Sequence, residues 1–242
     1  MRKSIIARRT IKQQVQDIIL NNRRNLILFT LLMIVVSLFI VSALLQNKGT
    51  FTITTARADM IKYGLVLSDE PEFKRPRQEL LSAPVVNMWN ITQTDLPSGI
   101  DDIDGTHNGD NYLAYTFYVK NIGEAALTYK PNLDLNQKFK DVDDAMRIMV
   151  YFNGSPTVYA KQKNDGSGPE PDTEPFSAAT RLLSLSQRPI DVGQVDKYTV
   201  VVWLEGEDPE CVNDILGGFV KMTMSFDVLQ RSSNPEDFTE AT

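Results

Sequence analysis

The chain has 242 residues, a formal net charge of −6, one histidine and one cysteine. This inventory excludes the common zinc sites, which need several Cys or His ligands, and Cys–His catalysis would need His107 and Cys211 to meet. The sequence also lacks an HExxH helix, a GxSxG elbow, a Walker loop and a GxGxxG fingerprint. We therefore expect a protein that is not an enzyme.

An uncharged run, LILFTLLMIVVSLFIVSALL, occupies residues 26–45. As a helix with a rise of ~1.5 Å per residue it would span about 30 Å, the thickness of the hydrocarbon core of a bilayer. Because the run has no polar face, it predicts a transmembrane helix and the membrane as a partner. Val41-Ser42-Ala43 fits a signal-peptidase site, but ordinary signal peptides have only ~7 to 15 apolar residues, which favours a retained anchor.

Charge is distributed unevenly on the two sides of this run. Residues 1–25 carry seven basic residues and one acidic residue (+6), and the rest of the chain carries 18 basic and 30 acidic residues (−12). Because Lys and Arg stay on the inner side of a membrane, we predict a cytoplasmic segment at 1–25 and an extracellular domain at 46–230. The alternative is a protein secreted after signal cleavage. The negative charge of the exported part argues against nucleic acid as a partner.

Segments rich in β-branched and aromatic residues, each bounded by Gly, Pro, Asn or Asp, predict strands. They are residues 50–56, 112–121, 147–153, 197–206 and 219–229. In the last segment an apolar face alternates with a polar face, as in a sheet with one buried side. Since two such sheets bury each other by packing face to face, we expect a mainly β protein: an antiparallel β-sandwich, jelly-roll or immunoglobulin-like, after a single transmembrane helix.

Two further segments have the composition of exposed chain. Residues 161–177, KQKNDGSGPEPDTEPFS, contain three prolines and two glycines and almost no apolar side chain. Such a segment has little to bury, so we predict a flexible, exposed loop within the domain. For the same reason residues 231–242, RSSNPEDFTEAT, are predicted to be a disordered tail.

Oxygen-bearing side chains recur at alternating positions before the strand at 112–121. They are Asp102, Asp104, Thr106, Asn108 and Asp110, preceded by Asp101. Calcium loops use hard oxygen donors in this way, so the pattern suggests Ca²⁺ as a cofactor, although the spacing is not that of an EF-hand and the closing glutamate is missing. The preferred interpretation is a turn, because Asn-Gly and Asp-Gly form turns and these side chains cap their own backbone. His107 is then a hydrogen-bonded loop residue.

A second acidic group follows the strand at 197–206 and consists of Glu205, Glu207, Asp208 and Glu210. We interpret it as a charged rim that protects the strand end from aggregation, with a cation site as the alternative. Trp203 and Trp89 are expected in the core, since aromatic residues at strand spacing usually are. Cys211 is expected to be a small, buried apolar residue, with a cross-link to a partner as the alternative.

Several of these pieces occur together in one family. In chain order they are GTFTI shortly after the apolar run, NIGEAALTY, and WLEG, and the most specific are NYLAYTFYVKNIG and YTVVVWLEGEDPEC. In this order the chain resembles, from about residue 26 to residue 229, the TasA/camelysin class of exported Gram-positive cell-surface and biofilm-matrix proteins.

The resemblance implies a jelly-roll-like sandwich that assembles into fibres. In this class the first strand, here 51–56, can complete a neighbour's sheet through main-chain hydrogen bonds. The alternative, which we favour while the apolar segment is retained, is that 51–56 pairs within its own sheet. Camelysins have been described as metallopeptidases, but this sequence has no pair of histidines to hold a metal, so no catalytic residue is carried over.

Three functions are considered. The preferred one is a non-enzymatic cell-surface structural or interaction protein, anchored or released, such as a matrix or fibre subunit with a cell-wall or matrix partner. The second is a Ca²⁺-dependent module that binds wall polymer or carbohydrate through residues 101–110 and aromatic side chains such as Tyr112. The third is a hydrolase, for which two carboxylates about 5 to 10 Å apart suffice. Its candidates are Asp104, Asp110, Glu205 and Asp208.

Overall fold

The computed structural model describes residues 22–41, 51–56 and 62–231, without the side chains of 230 and 231. It divides into two compact units, residues 1–47 and 48–242. Residues 1–21 of the predicted cytoplasmic segment, 42–45 of the predicted membrane span and 232–242 of the predicted tail lie outside the described residues.

The first unit contains one helix, α1 (Asn22–Val41), whose side chains are all exposed. By length and composition it can cross a membrane, although a signal sequence near an N-terminus meets the same description. Its two hydroxyl-bearing side chains bond within the helix: Thr30 Oγ1 donates to the carbonyl of Leu26 at 2.9 Å, and Ser37 Oγ to that of Ile34 at 2.8 Å. Because these bonds satisfy the hydroxyl groups, neither residue opposes burial in hydrocarbon.

In its described residues, the second unit is built mainly from strands and also contains three short 3₁₀ turns. The strands are β1 (Phe51–Thr55), β2 (Leu65–Ser68), β3 (Glu79–Leu81), β4 (Gly105–Thr106), β5 (Tyr112–Asn121), β6 (Leu127–Phe139), β7 (Met146–Phe152), β8 (Ser155–Ala160), β9 (Glu174–Pro175), β10 (Arg181–Ser184), β11 (Arg188–Ile190), β12 (Val195–Leu204) and β13 (Phe219–Arg231). The 3₁₀ turns are Gln93–Asp95, Ile100–Asp102 and Asn213–Ile215. All the strands predicted from period-two patterns are present, as β1, β5, β7, β12 and β13.

These strands form two sheets that pack as a sandwich, which confirms the predicted fold class. Sheet A has the order β10-β6-β13-β1-β3, with β11 also on β6, and sheet B has the order β2-β5-β12-β7-β8-β9, with β4 on β5. The expectation of purely antiparallel sheets is wrong in two places, because β1 lies parallel to β13 and β8 parallel to β9. Neither pair is joined by a hairpin, so no short turn requires their strands to be antiparallel.

The core lies between the sheets. Phe226 of sheet A packs edge-on against Phe117 and Tyr198 of sheet B, with ring centroids 5.8 and 5.4 Å apart. A buried hydrogen bond also joins the sheets, from Tyr129 Oη to Asp196 Oδ2 at 2.6 Å. Burial raises the pKa of Tyr129, so the phenol stays neutral and acts as a donor. This bond favours one alignment of the two sheets over others.

Sheet B is buried on both faces. Its outer face carries a second apolar cluster of Ala114, Met149, Val201 and Trp203, covered by Ile100 from the segment between β3 and β5. The pattern of one apolar and one polar face therefore holds for β13 but not for β5 and β12, whose residues are nearly all buried. The covering segment also brings Trp89, Asn108 and Asp110 together at one end of sheet B, where they line a groove.

The three side chains expected in the core differ in how far they are buried. Trp203 is fully buried, as predicted. Cys211 is half-buried against a small cluster that includes Ile215, and burial raises the pKa of its thiol. Trp89 is 71% exposed, so its assignment to the core is wrong. It lies in an irregular segment after Pro84 and not in a strand, so no buried face of a sheet is available to it.

Candidate functional sites at one end of sheet B

Four chain segments meet where β12 ends. Trp203, near the end of β12, lies opposite Tyr112 at the start of β5 and opposite Arg147 at the start of β7. Arg147 in turn lies opposite Ala160 at the end of β8. The loops before β5 and β7 and after β8 and β12 therefore share this edge, which we call the β12 end. It contains the acidic segment after β12 and the last part of the first acidic segment, where the Gly109 N–H donates to the carbonyl of Tyr112. Asp101 and Asp104 lie instead toward the start of β12, beside Lys197 and Tyr118.

Side chains of the hypothesised calcium loop bond to other segments of the chain, whereas the turn interpretation expected them to cap their own backbone. Asp104 Oδ1 accepts a hydrogen bond from Tyr118 Oη at 2.5 Å, and Thr106 Oγ1 donates to Ser82 Oγ at 3.3 Å. Burial, together with this carboxylate, raises the pKa of Tyr118, which keeps the phenol protonated as the donor. The two side chains thus attach the loop to neighbouring segments.

Asn108 and His107 hold the same loop from the other side. The Asn108 amide donates to the carbonyl of Ala83 at 2.8 Å and accepts from the backbone N–H of Ala114 at 2.9 Å. Both ring nitrogens of His107 lie 2.9 Å from backbone carbonyl oxygens, those of Gly105 and Ile100. His107 is therefore a hydrogen-bonded loop residue, as the turn interpretation expects.

The remaining candidates of this loop, Asp102 and Asp110, are exposed. Among the described residues, the groups of three acidic, His or Cys side chains whose ligand atoms lie within 4.8 Å of one another are found outside residues 101–110. The structure distributes the proposed ligands over the 3₁₀ turn Ile100–Asp102, strand β4 and the segment that leads into β5. Calcium binding by this loop stays a prediction.

Trp89 lines an exposed groove beside residues 108–111. Its backbone N–H donates to Asn111 Oδ1 at 2.9 Å, which ties the tryptophan segment to the loop. Val86, Asn108 and Asp110 also line the groove, whose volume is about 500 Å³. An exposed indole next to amide and carboxylate groups offers both stacking and hydrogen bonding to a ligand.

The acidic group after β12 is only partly the charged rim that we expected. Glu207 is exposed, and Glu205 Oε2 accepts a hydrogen bond from Trp203 Nε1 at 3.0 Å. Asp208, by contrast, is 5% exposed. A residue of a charged rim would be exposed to solvent. Asp208 is buried, so the interpretation as a rim does not hold for this residue.

Asp208 belongs to a buried charge cluster with Arg147, Glu170 and Glu210, which we call the Arg147 cluster. Arg147 Nη2 lies 2.7 Å from Asp208 Oδ2 and 3.4 Å from Glu170 Oε2. One oxygen of each of the three carboxylates lies within 4.8 Å of one oxygen of each of the others. Burial raises the pKa of Glu170, and repulsion by Asp208 raises it further, against the opposing effect of Arg147.

A second acidic group, the lysine cluster, lies before β7. Lys138 Nζ is 2.7 Å from Asp143 Oδ1 and 3.2 Å from Asp141 Oδ1. Lys161 Nζ donates to Asp144 and lies 3.8 Å from Asp143 Oδ2. Every carboxylate of this cluster therefore has a lysine partner, in contrast to the Arg147 cluster.

Asn164 connects the two clusters. Its side-chain amide donates to Asp144 Oδ2 at 2.6 Å, and its backbone N–H donates to Glu210 Oε1 at 2.6 Å. Burial alone would raise the pKa of Asp144, but the hydrogen bonds from Lys161 and Asn164 outweigh burial and lower it. The segment 161–177, predicted to be an exposed and flexible loop, thus has polar attachments to the β12 end and contains a buried residue, Glu170.

The carboxylates considered for hydrolysis are largely engaged within the fold. Asp104 accepts a hydrogen bond from Tyr118, and Glu205 accepts one from Trp203. Asp208 lies in the Arg147 cluster. These contacts give each of the three a local partner, and a hydrolytic function stays untested.

No protein-family model matches the chain, and no curated protein matches it. A functional assignment therefore rests on the fold, on the apolar helix and on the side chains of the β12 end.

Proposed function

We propose that the chain is a non-enzymatic cell-surface protein, anchored by its apolar helix, whose β-sandwich lies outside the cell and serves as a structural or interaction subunit. The observation that carries this proposal is the apolar helix α1 set between a segment of charge +6 (residues 1–25) and a remainder of charge −12. Retention of Lys and Arg on the cytoplasmic side favours an N-terminus inside and a β-sandwich outside.

The surface of α1 supports the membrane part of this proposal. All of its apolar side chains are exposed; Phe39, for example, is 73% exposed. An apolar surface of this extent is unfavourable in water and favourable in hydrocarbon. An anchored protein and a secreted protein differ only in whether this helix is removed.

Assembly through residues 51–56 is part of the proposal. In this chain β1 lies inside its own sheet, between β13 and β3, and Phe51 and Ile53 are fully buried. The strands at the edges of sheet A are short: β3 has three residues, β11 three and β10 four. Short edges give little surface for edge-to-edge pairing, so a fibre would form by exchange of β1 between subunits, which would restore the same contacts.

Topology is tested on intact cells with a membrane-impermeant protease. We expect an epitope tag after Thr242 to be digested while a cytoplasmic marker is spared. The mass of the mature protein then separates the two forms, because a retained anchor gives the full-length mass and cleavage after Ala43 gives a shorter one. A tag that is protected until the cells are lysed would contradict the proposal.

Strand exchange is tested with the disulfide pair Thr54→Cys and Ser225→Cys, with Cys211→Ser in the background. Thr54 and Ser225 are register partners in β1 and β13, and both are partly exposed. Exchange predicts disulfide-linked oligomers on a non-reducing gel, whereas pairing within one chain gives linked monomers. The single variant Thr54→Cys is the control. Linked monomers alone, at concentrations that give fibres, would exclude exchange.

A second candidate function is binding of wall polymer or carbohydrate, and it is favoured by the exposure of Trp89 beside Asn108 and Asp110. A flat indole can stack on a sugar ring while the amide and carboxylate bond its hydroxyl groups. We expect Trp89→Ala to abolish co-sedimentation of the detergent-solubilised chain with cell-wall fragments, and Leu229→Ala, at an exposed position on β13, to leave it unchanged. Equal sedimentation of the natural chain, Trp89→Ala and Leu229→Ala would exclude binding of the wall polymer in this groove.

A further inference from the structure

The carboxylates of the Arg147 cluster each use one oxygen and leave the other without a hydrogen bond. Asp208 Oδ1 accepts from the backbone N–H of Glu210 at 2.8 Å, and Glu210 Oε1 accepts from that of Asn164 at 2.6 Å. Glu170 Oε1, Asp208 Oδ2 and Glu210 Oε2 are buried and accept no hydrogen bond in the described part of the chain. Asp208 Oδ2 has only the ion-pair contact with Arg147. Buried oxygens of this kind are costly unless something satisfies them.

Charge within the cluster is unbalanced. Three carboxylates stand close together, and the one guanidinium in contact with them, that of Arg147, pairs with Glu170 and Asp208. Within the described residues its Nη1 also lacks a hydrogen-bond partner. The side chains of Glu170 and Asp208 are 4% and 0% exposed, so solvent screens them little. Of the lysines near the cluster, Lys161 donates to Asp144, and Lys163 acts on Glu170 only electrostatically. When its carboxylates are ionised, the Arg147 cluster therefore carries three negative charges against the one guanidinium in contact with it, an excess that a divalent cation would neutralise.

The geometry suits a hard cation of the size of calcium. One oxygen from each of Glu170, Asp208 and Glu210 lies within 4.8 Å of the others. Since Ca²⁺–O distances are about 2.3 to 2.6 Å, two ligands of one ion lie up to about 5 Å apart. A set made of carboxylates alone selects Ca²⁺ over zinc or copper, which prefer nitrogen and sulfur ligands.

We propose that Glu170, Asp208 and Glu210 bind one Ca²⁺ ion, with water completing its coordination. Glu170 belongs to the segment 161–177, and the other two ligands belong to the turn after β12. The ion therefore joins these two segments and closes the loop onto the β12 end. This site is separate from residues 101–110. Its intrinsic affinity for Ca²⁺, which a titration measures, does not depend on which side of a membrane the domain occupies.

The test is a calorimetric titration of the full chain in detergent with Ca²⁺ after treatment with EDTA. We expect saturable binding of about one ion, and at tenfold excess over Kd a rise in melting temperature of about 3 to 6 °C. Glu170→Gln and Glu210→Gln should each abolish both signals. Asp110→Asn and Asp141→Asn are the matched controls, since they remove a carboxylate from the other two acidic groups, and they should retain both signals.

Limited proteolysis measures whether Ca²⁺ protects the segment 161–177 itself from cleavage. Lys163 lies in a tight turn of the segment, where its N–H donates to the carbonyl of Gly168 at 3.0 Å. Ca²⁺ should slow tryptic cleavage after Lys163 several-fold in the natural chain but not in Glu210→Gln, which stays informative if Glu170→Gln fails to fold. The absence of saturable Ca²⁺ binding overturns the proposal. Binding that Asp110→Asn abolishes, or that both glutamine variants retain, overturns it as well.

Discussion

The two acidic clusters at the β12 end hold their charges in different ways. In the lysine cluster, Lys138 and Lys161 approach all three aspartates, and Asp141 remains largely in solvent. In the Arg147 cluster, one buried guanidinium faces three carboxylates, and an oxygen of each accepts no hydrogen bond. Paired and partly solvated charges support the fold by themselves. Buried and unbalanced charges need a further partner, so the difference separates a structural cluster from a candidate binding site.

The largest effect is expected from Arg147→Met. Among the described residues, Arg147 alone forms ion pairs with Glu170 and Asp208, and breaking a buried ion pair costs about 3 to 5 kcal/mol. Urea unfolding of the detergent-solubilised chain in EDTA measures the loss, and Ca²⁺ should recover part of it. A loss below about 1 kcal/mol would mean that the cluster is solvated like a surface pair.

A smaller loss, about 1 kcal/mol at neutral pH, is expected from Asp144→Asn, which weakens the hydrogen bonds from Lys161 and Asn164. Because these bonds lower the pKa of Asp144 in the folded state, they stabilise the fold above the unfolded pKa, and the gain is lost as pH falls through the folded pKa. The difference in melting temperature between the natural chain and the variant should therefore begin to shrink below about pH 4 and keep shrinking as pH falls further through the folded pKa. A difference that stays constant as pH falls below about 4 would show that the carboxylate charge is not its cause.

Unlike Arg147→Met and Asp144→Asn, Glu170→Gln in EDTA is expected to leave the free energy of unfolding unchanged or to raise it. Its pKa is raised in the folded state, so ionised Glu170 destabilises the fold as pH rises through the folded pKa, and a neutral amide avoids this cost. We expect a change between zero and a gain of about 1 kcal/mol at neutral pH, measured by urea unfolding beside Asp144→Asn. A clear loss in EDTA would indicate that the contact between Glu170 and Arg147 is itself stabilising.

The smallest effect, below about 1 kcal/mol, is expected from Asp141→Asn, because Lys138 keeps its closer partner Asp143. The Lys138 side chain is 36% exposed and its partner Asp141 is 74% exposed, so solvent and salt screen this pair. Melting temperatures in low and high salt measure it, and the difference from the natural chain should shrink as salt rises. A loss as large as that of Arg147→Met would remove the contrast between the clusters.

Local patterns were sufficient to predict the main strands. The alternation in β13 appears in the structure as buried Met222, Met224 and Phe226 between partly exposed neighbours, because period two sets the direction of each side chain. The parallel pairing of β1 with β13 was not predictable in this way, since it depends on which distant strand lies beside β1. The burial of the outer face of sheet B was not predictable either, because it depends on the segment between β3 and β5 that places Ile100 over that face.

The candidate site shows the same limit. Asp208 and Glu210 stand in an acidic segment that the sequence made visible, but Arg147 reads as part of a strand and Glu170 as part of a polar loop. Only the pairing of β7 with β12 and the return of the segment 161–177 bring them together. The prediction that Trp89 lies in the core was wrong because a single aromatic residue does not reveal whether the chain around it forms a strand.

The pairing of β1 with β13 joins the two ends of the domain in one sheet. Phe51 lies beside Met222 and Thr55 beside Phe226, so the first strand has no partner on this side until nearly the whole domain has been synthesised. Contacts between residues so distant along the chain form late and slowly. A polypeptide with this topology can remain unfolded while ribosomes still extend it, and it gains its final stability when the last strand arrives.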